Sequence, residues 1–150
     1  MVEQVLFVCT GNTCRSPMAE AIFNQKKSSE FLQARSAGVY ANDGSAASLH
    51  AQSALKEREI DIQHASSLLS REQIDWATLI LTMTGSHKQL VLERFPDAAD
   101  KLYTLNEFVH GPAGFRDVAD PFGGSIEDYR YTRDELETLI ENLLKKLHAN

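Results

Sequence analysis

A chain of 150 residues, 43% hydrophobic and 24% charged, is long enough to bury one core and has the balance of an ordinary soluble globular protein, so a single domain over residues 1–150 is expected. A formal net charge of −6 and a pI near 5.3 argue against a dedicated nucleic-acid or anionic-membrane binder while leaving room for a local positive pocket. The two cysteines, Cys9 and Cys14, fall in one short loop, so they cannot staple distant elements together. The histidines lack zinc-ligand spacing, and no metal or other cofactor is expected.

In chain order, Met1–Gln4 carries no basic residue, and the apolar run Val5–Val8 is too short for a signal peptide or a membrane span. A cytoplasmic protein is the expectation. Gln4–Val8 reads as a buried strand ending at a glycine-containing turn. Ser16-Pro17 predicts a helix start, with serine as the N-cap and proline at the first helical position; Ala19, Ile22 and Phe23 supply its apolar stripe. A second strand is expected over Phe31–Ser36, stopping at Gly38. The small and polar loop Asn42–Ser48 leads into a helix over Leu49–Arg58.

Trp76–Met83 is continuous and apolar, as a central parallel strand should be. Gly85–Phe95 reads as a helix ending before Pro96, and Leu102–Leu105 as a short strand. The reach Gly111–Gly124 is irregular. In the last helix Leu136, Leu139, Ile140, Leu143, Leu144 and Leu147 form one stripe. Asp134 and Glu135 lie towards its expected start and Lys145, Lys146 and His148 at its end, in accord with the helix dipole. Alternating strands and helices imply an α/β doubly wound sheet, in which ligands bind beyond the carboxyl ends of the strands. The first strand delivers Cys9 to that place.

The segment Cys9-Thr10-Gly11-Asn12-Thr13-Cys14-Arg15-Ser16 then has a chemical reading. Gly11 permits backbone angles that other residues resist, and Asn12 tolerates left-handed geometry. Such a turn aims successive N–H groups at one point, as an anion-binding nest, with the following helix end facing the same point. Arg15 adds a planar fork for two phosphoryl oxygens. The same field predicts a depressed thiol at Cys9, and the thiolate is the nucleophile. Ser16 is placed to donate a hydrogen bond to it.

CTGNTCRSPMAEA resembles the active-site signature of the low-molecular-weight protein-tyrosine phosphatase family. Arg35-Ser36-Ala37-Gly38, His64 and Asp120-Pro121 extend the resemblance over nearly the whole chain. It implies a four-stranded parallel sheet flanked by helices and a cysteinyl-phosphate mechanism. Carried over by residue, Cys9 is the nucleophile, Arg15 the phosphate clamp and Ser16 the tuner of the thiolate. Asn12 shapes the loop with support from Ser36 and His64. Asp120 is the general acid, with Asp117 the only near competitor. Thr10, Gly11, Thr13 and Cys14 complete the phosphate-binding loop, Phe122 is a rim candidate beside the acid, and Tyr40 a weaker one by position.

Two departures from the tyrosine-phosphatase pattern bear on the substrate. Thr13 stands where those enzymes usually carry an apolar residue, and Phe122-Gly123-Gly124 stands where they commonly carry two tyrosines. Both features resemble the protein-arginine phosphatase branch. The expectation is a monomeric enzyme that removes phosphate from arginine-phosphorylated proteins, with tyrosine phosphatase as the alternative. Oxidation of Cys9 to a sulfenic acid, captured by Cys14 as a disulfide, is expected as a redox property. Arsenate reductases of this fold relay oxidation through further cysteines, which this chain lacks. A non-catalytic phospho-group reader would need neither Cys9 nor Asp120.

Overall fold

The computed structural model describes residues 3–112 and 116–148. The run that reads as a buried strand forms β1, Glu3–Cys9. It is flanked by β2, Leu32–Gly38, and β3, Leu79–Thr82, and β4, Leu102–Thr104, lies outside β3. The sheet is four-stranded with order β2-β1-β3-β4, and every pairing is parallel.

The unbroken apolar stretch of β1 follows from burial on both faces. Val5 and Phe7 point into one core with α1, Arg15–Lys26, α2, Leu49–Lys56, and α6, Ile126–His148. Leu6 and Val8 point into a second core with α3, Arg71–Trp76, and α4, Gly85–Arg94. All four side chains are fully buried, each contributing about 1.5–3 kcal/mol by leaving water. Phe7 meets Phe23 edge-on at 5.9 Å between ring centroids.

Several boundaries differ from the sequence expectation for definite reasons. Helix α1 starts at Arg15 with Cys14 as N-cap and no side-chain cap bond; Ser16 is not the cap, because its hydroxyl turns inward to the loop. Strand β2 runs on to Gly38, and α2 is shorter than expected. Trp76 belongs to α3 rather than to a strand: Ser70 and Gln73 form a capping box that starts this short helix. The indole lies under the Arg35 guanidinium, 4.3 Å from its ring centre. A 3₁₀ turn over Pro96–Lys101 and α5, Leu105–His110, bracket β4. Helix α6 starts well before its leucine stripe, so Glu127 and Asp128 fill its acidic first turn. Asp134 is mid-helix, 3.1 Å from Arg58. The irregular reach carries no helix or strand in its described part, residues 113–115 lying outside the described residues.

In this strand order the chain leaves β1 towards one sheet edge and returns at β3 to move towards the other. The crevice beyond the carboxyl ends of β1 and β3 is therefore the switch point at which such sheets bind ligands.

Candidate active site

The loop from Cys9 to Ser16 closes over the end of β1, and its shape is fixed around Asn12. This residue is fully buried and left-handed, with φ 57°, a conformation that asparagine tolerates better than most. Every polar group of its side chain is used. The amide nitrogen donates to Ser16 Oγ at 2.7 Å and to Ser36 Oγ at 2.9 Å. The amide oxygen accepts from the Ser67 backbone N–H at 2.9 Å. The Asn12 carbonyl accepts from His64 Nε2 at 2.7 Å, which puts the ring proton on that nitrogen. The Ser36 hydroxyl in turn donates to Glu20 Oε1 at 2.5 Å. Burial raises the Glu20 carboxyl above the ordinary range, opposed by the Ser36 bond and by His64 and Arg35.

Gly38, at the end of β2, is required by close approach. A Cβ there would collide with the Thr10 carbonyl oxygen and stand 2.9 Å from the Asn12 nitrogen. The backbone after β2 can thus run against the loop, where the Tyr40 N–H donates to the Thr10 carbonyl at 2.9 Å.

Cys9 is 3% exposed, and its sulfur lies 2.8 Å from Ser16 Oγ. Since Ser16 accepts from Asn12, its own proton goes to an acceptor, and the sulfur is far nearer than the alternative, the Ala37 carbonyl at 3.5 Å. The expectation of a depressed thiol is not met: burial is the largest influence and pushes Cys9 above its ordinary value. Opposing it are the Ser16 hydroxyl, the backbone N–H groups of Ser16 and Asn12, and the Arg15 charge. The sequence shows which donors converge on this sulfur but not how dry the loop floor is.

Arg15 is 5% exposed. One guanidinium nitrogen donates to the Val118 carbonyl at 3.2 Å, and another is 3.6 Å from Asp120 Oδ2. The segment bearing Asp120 is anchored from behind. The Val118 N–H donates to the Met83 carbonyl at 2.9 Å. Glu135 accepts from the Ala119 N–H at 3.0 Å, and Thr132 donates to the Ala119 carbonyl at 3.1 Å. Asp120 Oδ1 accepts from the Phe122 N–H at 3.0 Å, a tight Asx turn. Its competitor Asp117 points elsewhere, accepting from the Gly85 N–H at the start of α4.

Cys9, Thr10, Gly11, Thr13, Cys14, Arg15, Asp120 and Phe122 line one cavity of about 230 Å³. Thr13 is held through its carbonyl, which accepts from the Ser48 N–H at 2.9 Å. Asn12 and Ser16 lie beneath the cavity, and Ser36 and His64 beneath them. Cys14 is buried, its sulfur 3.3 Å from the Tyr129 hydroxyl. Tyr40 is not among the lining residues. Its exposed ring lies against Arg94, 5.1 Å from that guanidinium, and its backbone N–H is what bonds the loop. Three contributors escape sequence reasoning. Ser48 and Tyr129 are distant in sequence and carry no motif, and His87, whose Nε2 is 2.8 Å from Thr10 Oγ1, has no signal apart from lying shortly after a strand. No group of three or more His, Cys, Asp or Glu among the described residues could hold a metal ion, and none of the helices there is long and apolar enough to cross a membrane.

The family model described as low molecular weight phosphotyrosine protein phosphatase matches residues 4–150. A protein-arginine-phosphatase of Geobacillus stearothermophilus is 56% identical over 149 residues, 99% of each chain, and one of Bacillus subtilis is 50% identical over 95% of each. Among solved structures, the YwlE arginine phosphatase from G. stearothermophilus superposes with a TM-score of 0.94 at 54% identity, covering 98% of this chain and 94% of the other. A YwlE mutant with a phosphorylated active-site serine superposes with a TM-score of 0.92 at 48% identity, over 97% and 95%. With its sheet order, loop and cavity in place, the chain belongs to the low molecular weight phosphotyrosine protein phosphatase family.

Proposed function

We propose that this chain is a protein-arginine phosphatase, a monomeric single domain over residues 1–150 that works in the cytoplasm on arginine-phosphorylated proteins. The observation that carries this reading is the cavity in which Cys9, Arg15, Thr13 and Asp120 face one space. The identities of 56% and 50% to protein-arginine-phosphatases support it, against 38% to a tyrosine phosphatase of Staphylococcus haemolyticus.

The reaction runs in two steps. The Cys9 thiolate attacks phosphorus in line, while the loop amides and Arg15 hold the equatorial oxygens. The phosphorus–nitrogen bond breaks as the sulfur–phosphorus bond forms, and Asp120, in its acid form, gives its proton to the departing guanidine nitrogen. Asp120 then takes a proton from water as the water oxygen attacks the cysteinyl-phosphate. Phosphate leaves, and the electron pair returns to sulfur. Ser16, the loop amides and the end of α1 oppose the burial that raises Cys9 and so favour the thiolate. Arg15, 3.6 Å away, holds Asp120 over the cavity mouth.

For the substrate, the exposed carboxyl of Asp120 can accept from a guanidinium N–H through one oxygen while the other carries the proton for the leaving nitrogen. Thr13 brings a stiff hydroxyl to a wall where an apolar side chain would suit a phenol. Phe122 supplies a single exposed aromatic at the rim. The deciding experiment is a comparison of kcat/KM on phosphoarginine and phosphotyrosine peptides of one sequence. A higher value for phosphoarginine is expected; a higher value for phosphotyrosine would move the assignment to a tyrosine phosphatase.

The same loop is proposed to respond to peroxide. Cys9 thiolate attacks a peroxide oxygen to give a sulfenic acid and hydroxide, and the Cys14 thiol then displaces water to form a disulfide. Intact mass after peroxide should fall by about two daltons, the mass of two hydrogens, and thiols should restore activity. Irreversible inactivation with oxygen added to the mass would refute this.

A further inference from the structure

Thr10 and His87 meet across the crevice at which the sheet order reverses, one following β1 and the other in the first turn of α4. Their side chains are 2.8 Å apart at Thr10 Oγ1 and His87 Nε2. His87 is 5% exposed, and its other ring nitrogen, Nδ1, is buried with no hydrogen-bond partner.

That orphan fixes the direction of the bond. A proton on Nδ1 would leave a buried N–H without an acceptor, whereas a proton on Nε2 leaves only a lone pair unmet, the smaller cost. Nε2–H therefore donates to Thr10 Oγ1. Having accepted, the Thr10 hydroxyl keeps its own proton for another partner, and the side chain has no further partner among the described residues. Thr10 is exposed and lines the cavity together with Cys9 and Arg15.

We infer that His87 is a positioning residue that sets the Thr10 hydroxyl as a donor to the phosphoryl group bound in the loop. This rests on the phosphatase reading of the cavity. Burial, followed by the Arg15 charge, lowers the His87 imidazole to about 4, with Asp117 and Asp120 opposing. The ring thus stays neutral where the enzyme works, and a second proton would again fall on the orphaned Nδ1. The turn carrying His87 is itself braced: Thr84 Oγ1 accepts from the His87 N–H at 3.1 Å, and the Gly85 N–H donates to Asp117 at 3.0 Å. One helix end therefore touches both the phosphate loop and the segment that bears Asp120.

The test compares Thr10→Val, His87→Leu, the double variant and His87→Gln, whose amide nitrogen can replace Nε2–H. Inorganic phosphate affinity is measured by calorimetry, kcat/KM on a phosphoarginine peptide, and folding by thermal melting. Thr10→Val and His87→Leu should each weaken phosphate binding and lower kcat/KM about tenfold, the effect of one hydrogen bond to a charged group. The double variant should be no worse than either single one, and His87→Gln should recover most of the loss. Multiplying losses in the double variant, or unchanged phosphate affinity in Thr10→Val, would overturn the inference. The Thr10→Val result decides the matter should His87→Leu fail to fold. A wild-type protein that binds phosphate yet hydrolyses no phosphopeptide would sink the phosphatase reading while leaving the phosphate comparison readable.

Discussion

The two sides of the cavity are built differently. On the loop side buried Asn12, Ser16 and Ser36 and half-buried His64 form a continuous network, and Gly38 lets the backbone close against it. On the other side Asp120 has a half-exposed side chain, and Phe122 is 77% exposed. The Asp120 segment is held by bonds to its backbone from Met83, Glu135 and Thr132. Binding the phosphoryl group needs donors fixed in advance, because their reorganisation would be charged to the transition state. Choosing and protonating a leaving group needs a wall that can change without loosening the cradle. The loop side should therefore carry affinity for the anion, and the exposed side leaving-group chemistry and substrate choice.

The hardest test of this division removes the nucleophile. Cys9→Ala should lower turnover on the order of 10⁴-fold or more while phosphate still binds; turnover within about a hundredfold of the parent would refute the role of Cys9, and lost phosphate binding the independence of the cradle. Asp120→Asn should act on chemistry alone. A fall in kcat of about 10²–10³-fold on phosphoarginine is expected, with the melting temperature and phosphate affinity near those of the parent, since the carboxylate is largely in water and its contact with Arg15 is long. An equal loss in phosphate affinity would show Asp120 to be part of the cradle.

The same division explains what could be read from the sequence. β1, the loop and α1 are contiguous, so Cys9, Asn12, Arg15 and Ser16 announce one another within a few residues. The continuous hydrophobicity of Val5–Val8 marks a strand covered on both faces. Short elements were less legible. Helix α3 has the local signal of a capping box from Ser70 to Gln73, but the apolar run beginning at Trp76 masks it, because the indole packs under Arg35 rather than within the sheet. Helix α5 has too few turns for a stripe. Contacts between the ends of different strands, such as Thr10 with His87 and Thr13 with Ser48, depend on sheet order. That order leaves no local mark on the residues it brings together. The raised thiol of Cys9 belongs with these, since the sequence names the donors but burial comes from the whole fold.

A smaller effect should come from within the cradle. In Cys9 burial raises the thiol, and the Ser16 hydroxyl is the largest single opposing influence. Ser16→Ala removes that opposition, so the thiol rises further and less thiolate is present at any pH below it. The acid limb of the kcat/KM profile should move to higher pH, since the loss of a hydrogen bond to a charged group, about 1.5–3 kcal/mol, falls on the thiolate alone. At a pH on that limb the rate falls about tenfold or more, and above the limb it recovers towards the parent. A uniform loss with an unmoved limb would mean that Ser16 acts only on the geometry of the loop.

An effect of similar size at Thr13 is the most specific. Thr13 lines the cavity but is anchored by its backbone, through the Ser48 N–H, so its side chain can change while the loop keeps its shape. Thr13→Ile exchanges a hydroxyl for an apolar extension. The ratio of kcat/KM on phosphotyrosine to that on phosphoarginine should rise by about tenfold, within the range that one apolar group commands in a pocket. Phosphate affinity should stay within about threefold of the parent if, as proposed, loop amides and Arg15 hold the phosphoryl group rather than this hydroxyl. A flat ratio would remove Thr13 as the selector and leave the exposed side, with Asp120 and Phe122, to carry substrate choice alone. A raised ratio with weakened phosphate binding would instead show that the wall and the cradle are one unit, and the division between the two sides of the cavity would fail at this residue.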